Sequence, residues 1–155
     1  MTTMATGPLA GLKDPHLERL MEFSRQVNFP AGSRLFEEGG RADHFWIIRS
    51  GSVDLSLHIP GRAAPRVETL GPGELLGWSW LFPPYRWHFG AQALSPVRAL
   101  EFDAERVRQL CREDPALGHD LVLACAQVIA DRLKSARTRL LDLYGPHRSY
   151  RDDGD

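Results

Sequence analysis

Hydrophobic and polar positions along this chain change their period twice, and the changes divide it into three regions. In the first, Pro15 to Gln26, Leu17, Leu20 and Met21 recur at helical spacing, with Pro15 in the first turn after Asp14. This predicts a short amphipathic helix that ends before Phe29-Pro30.

The second region, Val27 to Asp103, reads as strands punctuated by glycine. Val53, Leu55, Leu57 and Ile59 alternate with Ser52, Asp54, Ser56 and His58, the period of a half-buried strand. The run Phe45-Trp46-Ile47-Ile48 precedes it, separated by Arg49-Ser50-Gly51, which reads as a hairpin turn. Trp87, Phe89, Ala91 and Ala93 alternate again with His88, Gly90 and Gln92, and Val97 to Phe102 adds a further strand. Short strands with turn signals every ten or so residues predict a mainly β sandwich, barrel or roll.

From Ala104 the period is helical. A short helix covers Ala104 to Cys111, and a long one starts at the N-cap pair Asp114-Pro115. It is expected to span 115–143 and to stop at Gly145-Pro146. Val122, Ala126, Ile129, Leu133, Ala136, Leu140 and Leu143 follow an unbroken a/d heptad. Beside it, in the first half only, runs a second apolar line, Leu117, Leu121, Cys125 and Val128. After Ala130 that line turns charged: Asp131, Arg132, Lys134, Arg137 and Arg139. The first half therefore has two faces to bury and the second half one narrow seam. A parallel homodimer through the seam is the expectation, with the basic run as a solvated face. The domain is read as residues 15–143, with 1–14 a flexible N-terminus and 144–155 a polar, frayed tail.

Composition narrows the function classes. The 155 residues suit one domain, and a net charge of −1 gives no overall pull toward nucleic acid or membrane. Two cysteines, Cys111 and Cys125, are too few for a disulfide framework or a zinc site, and read as reduced thiols. With no signal-peptide pattern before Leu12 and no spanning apolar run, a cytoplasmic protein is expected. The chain has no G-x-S-x-G, H-E-x-x-H, P-loop or G-x-G-x-x-G motif, and its six histidines are scattered, so neither an enzyme nor a metal site is expected.

A series of phrases carries more. Phe29-Pro30-Ala31-Gly32-Ser33 leads to Leu35-Phe36-Glu37-Glu38-Gly39, then Phe45-Trp46-Ile47-Ile48 with Gly51-Ser52-Val53. Leu70-Gly71-Pro72-Gly73-Glu74-Leu75 and Pro96-Val97-Arg98-Ala99-Leu100 follow. In this order and spacing, across roughly residues 15 to 143, they resemble the cyclic-nucleotide-binding domain of the Crp/Fnr-like regulators. The resemblance implies an eight-stranded jelly-roll β-roll (a double-stranded β-helix) whose interior holds the ligand, and it makes the last helix a dimerisation helix. It also implies that Gly73, Glu74 and Leu75 open a phosphate-binding cassette. Glu74 would accept a ribose hydroxyl, and the amides of a following short helix would face a cyclic phosphate of cAMP, cGMP or another small anion.

Two departures from that pattern stand in the sequence. The family's cassette continues to an arginine that pairs the phosphate; here the segment runs Gly77-Trp78-Ser79-Trp80-Leu81-Phe82-Pro83-Pro84-Tyr85-Arg86-Trp87-His88-Phe89. Counting back from Ala93 puts Trp87 at the pairing position, and Arg86 is the only arginine near. Residues 86 and 88 share one face, 87 and 89 the other. An Arg86/His88 face toward the pocket would make it cationic; a Trp87/Phe89 face would fill the pocket or stack on a planar ligand. The DNA-binding members also continue into a helix-turn-helix, for which the residues after Gly145 are too few, so no DNA binding by this chain alone is expected. Two readings follow: a non-catalytic sensor of a cyclic nucleotide or other small anion signalling through a homodimeric helix, or a ligand-free β-roll scaffold that recruits a protein partner.

Overall fold

The computed structural model describes residues 8–58, 60–61 and 66–152. Eight strands form two four-stranded antiparallel sheets. The strands are β1 (Ser24–Phe29), β2 (Arg34–Phe36), β3 (His44–Ser50), β4 (Val53–Ser56), β5 (Arg66–Leu70), β6 (Leu75–Leu76), β7 (Gly90–Ala93) and β8 (Val97–Asp103). One sheet has the order β1-β8-β3-β6 and the other β2-β7-β4-β5. Helices α1 (Asp14–Met21), α2 (Ala104–Glu113) and α3 (Pro115–Asp152) flank this roll. The eight-stranded roll with a long last helix is the predicted architecture.

Strand β3 shows why its sequence is a continuous apolar run. Phe45, Trp46, Ile47 and Ile48 are all buried, because both faces of the strand are covered. Beyond Gly51 the chain changes sheets: β3 pairs with β8 and β6, β4 with β5 and β7. Arg49-Ser50-Gly51 is therefore a crossing between sheets and not a hairpin turn. Gly51 has φ +89°, and a Cβ there would meet the Pro96 carbonyl oxygen at 2.2 Å, so only glycine allows the two chain segments to cross this closely. The alternation read over 53–59 holds for buried Val53 and Leu55, and the strand ends at Ser56. Ile59 lies outside the described residues.

Helix boundaries differ from expectation at both ends of the chain. Helix α1 stops at Met21, because Ser24 to Phe29 is taken up by pairing with β8, from Ser24 opposite Phe102 to Phe29 opposite Val97. The N-terminal residues read as flexible include a 3-10 turn at Pro8–Gly11; Leu9 and Leu12 bury their side chains in the core beside it. Asp103 caps α2 by accepting from the Arg106 N–H, and Asp114 caps α3 by accepting from the Leu117 N–H. Helix α3 passes Gly145-Pro146 and continues to Asp152. A proline removes one intrahelical bond, a loss that a helix of 38 residues absorbs. At about 1.5 Å per residue it is roughly 57 Å long.

The two apolar lines of α3 have opposite environments. Leu117, Leu121 and Cys125 are fully buried against the roll, and burial with the neighbouring Cys111 pushes the Cys125 thiol up to about 12. On the heptad line Val122, Leu133 and Leu140 are 49%, 69% and 55% exposed, and Ala126 and Ala136 are exposed as well. Ile129 is half-buried, and the side chain of Leu143 is outside those described.

Candidate functional site

The interior of the roll is built by aromatic side chains. Trp87 is held from both sides of its backbone: its N–H donates to the Gly40 carbonyl and its carbonyl accepts from the Gly39 N–H, each at 2.8 Å. This fixes the alternation so that the indole points inward. It stacks on Phe36 with centroids 3.8 Å apart and lies 6.0 Å from Trp46. Gly77, at φ +99°, makes room for it; a Cβ there would stand 2.8 Å from the indole Cζ3. Deeper in the core, Trp80 stacks on Phe45 at 4.4 Å, and Phe45 on Phe102 at 4.7 Å. What remains inside, bordered by Gly77, Trp78, Trp87, His88 and Phe89, is about 10 Å³, room for one water at most.

The strand expected from Trp87 begins only at Gly90, so strict parity does not hold before it: Trp87, His88 and Phe89 all border the interior, with Trp87 the buried one. Arg86 points outward, exposed, with Nη1 donating to the Gly39 carbonyl at 3.3 Å, and does not border the interior hollow. His88 is largely exposed at the rim; its Nδ1 hydrogen-bonds the Ser79 hydroxyl at 2.8 Å and its ring stacks on Trp78 at 4.7 Å. A cationic interior formed by Arg86 and His88 is not what the fold makes.

Gly73 and Glu74, which the resemblance makes the start of a cassette, are followed first by strand β6 and not directly by a short helix. Gly73, φ +87°, and Glu74 form the turn between β5 and β6, with Glu74 Oε2 accepting from the Gly71 N–H at 2.9 Å. The short 3-10 helix, Ser79–Leu81, follows Gly77-Trp78 instead. Gly77 is the glycine beside the interior, with Trp78 next to it on the border of the same hollow.

A second and larger hollow opens on the other side of β6. About 590 Å³ lie between the roll and α3, reached by Glu68 of β5, by Glu74 and Leu75, and by Ala124, Asp131 and Arg132 of α3. Glu74 and Leu75 thus belong to this cleft, Trp87 and His88 to the interior remnant.

Arg132 borders both hollows. The basic run from 132 to 139 reads as solvated in the sequence, but the Arg132 side chain is only 14% exposed. Its Nη2 donates to the Leu75 carbonyl and its Nε lies 3.9 Å from Glu68 Oε2. Burial lowers its proton affinity, while Glu68 and Glu74 offset part of that. It stays charged, as an arginine does. The only signal for it in the sequence is its place one heptad after Cys125, on the buried line.

Among the described residues, no group of three or more His, Cys, Asp or Glu is arranged to hold a metal ion, and no helix is long and apolar enough to cross a membrane.

The family model for the cyclic nucleotide-binding domain matches residues 26–114, more than half of the chain. The chain is 27% identical over 137 residues to the CRP-like cAMP-activated global transcriptional regulator of Mycobacterium tuberculosis, covering 88% of this chain and 59% of that protein. To the cyclic AMP receptor protein of Thermus thermophilus it is 26% identical over 130 residues, covering 84% and 58%. The chain thus spans less than two thirds of the curated relatives it matches. Among solved structures, a putative cyclic nucleotide-binding protein from Geobacter metallireducens superposes with a TM-score of 0.72 at 30% identity, covering 81% of this chain and 91% of that one. The match to the Thermus thermophilus catabolite activator protein has a TM-score of 0.70 at 28% identity, covering 88% and 62%. The chain belongs to the cyclic nucleotide-binding domain family.

Proposed function

We propose that this chain is a non-catalytic, cytoplasmic ligand-sensing domain that dimerises through α3, senses at the cleft under that helix, and keeps the interior of its roll closed with its own indole. The contrast between the two hollows carries the reading. A pocket for a drug-sized ligand needs roughly 300–1,000 Å³. The interior retains about 10 Å³, the cleft about 590 Å³. We read the filled interior as closed to the cAMP in the relatives' names.

Arg132 supplies the link to output. It is the last residue of α3 to reach the roll, and the helix beyond it is exposed up to Asp142. A ligand that alters the ties of Arg132 to Leu75 or Glu68 changes how the free half of α3 is carried, biasing one packing of the helices over another. The exposed Val122, Leu133 and Leu140 form the seam of a homodimer, which then presents itself to a protein partner; DNA binding is not assigned to this domain alone.

The filled interior also supports a second reading, a ligand-free scaffold that acts only through the helix pair. One experiment separates these. Adding millimolar cAMP or cGMP should leave the melting temperature unchanged, while hydrogen exchange along α3 should respond to a ligand of the cleft. A rise in melting temperature with either nucleotide would refute the closed interior. An α3 that responds to no ligand would leave the scaffold.

A further inference from the structure

The cleft under α3 has acidic walls and an apolar floor. Glu68 and Glu74 face it from the roll, Asp120 and Asp131 from α3. Among the described residues lining it, Arg132 is the one permanent cation, and it is engaged with Leu75 and Glu68. Asp120 is taken by His16, 2.7 Å from its Oδ2. Glu74 and Asp131 have only neutral donors, the Gly71 N–H and the Gln127 Nε2, and no ion-pair partner among the described residues. Such carboxylates on a convex face would be ordinary solvated side chains. Here they ring a concavity floored by Leu75, Ala124 and Val128, with Leu123 61% exposed at its edge.

That arrangement discriminates by charge. A carboxylate or phosphate entering the cleft meets net negative walls and finds a guanidinium already committed. An ammonium finds Asp131 with no cation beside it and Glu74, whose field it shares with the Arg132 guanidinium, while its organic body covers the apolar floor. We infer that the cleft binds an organic cation, an ammonium carried on an apolar body. The inference rests on reading the cleft as the sensing site and names the class of its ligand. Dimerisation leaves the site accessible: Asp131 lies two residues from both Ile129 and Leu133, about half a turn around the helix from the seam.

The test uses two probes with the same indole body and opposite charge, tryptamine and indole-3-propionate, titrated by calorimetry into the full chain. Tryptamine should bind saturably and at least about ten-fold more tightly than the propionate. Glu74→Gln at a half-buried position and Asp131→Asn at an exposed one, both outside the core, should each weaken tryptamine by roughly two- to five-fold. Equal or tighter binding of the propionate, no saturable binding of tryptamine, or unchanged affinity in both variants would overturn the assignment. Hydrogen exchange on α3 keeps the two claims apart. Tryptamine that binds without altering α3 leaves the cation site standing and sinks the sensing role; the propionate altering α3 does the reverse.

Discussion

Two hollows meet at Arg132, and they have gone opposite ways. Inside the roll, where the fold offers a place for a ligand, Trp87 stacks on Phe36 over Gly77 and leaves about 10 Å³. Under α3, on the other side of β6, about 590 Å³ stay open between acidic walls. The difference teaches that a family's roll can be kept while its interior is spent on packing, because an indole with aromatic neighbours stabilises the roll by itself. We place signalling at the boundary between roll and helix.

The largest effect should come from reopening the interior. Trp87→Ala removes a side chain that is 5% exposed and should cost about 3–5 kcal/mol in urea unfolding, with free indole at millimolar concentration restoring part of the loss. A cost within the range of surface substitutions would mean that Trp87 does not fill the roll.

Arg132→Ala acts at the shared boundary and should cost less, about 1–3 kcal/mol, with faster hydrogen exchange at β6 and along α3. The side chain is mostly out of water, and its loss removes the bond to Leu75 and leaves Glu68 without that partner. Arg132→Lys should recover little of the loss, since an ammonium cannot keep both contacts in the guanidinium geometry.

Beyond Arg132, substitution should touch assembly and not the fold. Leu133→Glu alters a residue 69% exposed, so the monomer should keep its stability within about 0.5 kcal/mol while sedimentation shifts from dimer to monomer. Unchanged sedimentation would remove the heptad seam from the interface.

The smallest effect expected is on pH. Asp120 is held below the usual carboxylate range first by its hydrogen bond to His16, with burial opposing and His16 and Lys13 charges assisting. A lowered folded-state pKa means stabilisation present above the ordinary Asp range and lost as pH falls through the folded value. Acid melting below about pH 4 should therefore loosen the contact of α1 with α3, and Asp120→Asn should flatten that limb of the curve.

How far the sequence is readable depends on whether a feature is local. The two lines of α3 are local, and period alone separates buried Leu117, Leu121 and Cys125 from exposed Val122, Leu133 and Leu140. Alternation over 87–93 is only partly informative: the strand starts at Gly90, and the inward turn of Trp87 depends on how residues 85–87 bond to 39–42, far away in sequence. Nonlocal pairing also decides that β3 and β4 belong to different sheets. Gly73 and Gly77 look alike in sequence and both have positive φ; only the position of the 3-10 helix after Gly77 tells them apart. Arg132 escapes a sequence reading because a basic run looks solvated; its place one heptad after Cys125 is a local signal, but it does not report that the roll reaches that far along the helix.

The closed interior is tested most directly by the indole N–H signal of Trp87 in a nitrogen-correlated spectrum, followed while cAMP is added to millimolar concentration. A closed roll predicts that the resonance stays where it is. A saturable shift at Trp87 would show the nucleotide inside the roll and contradict the account.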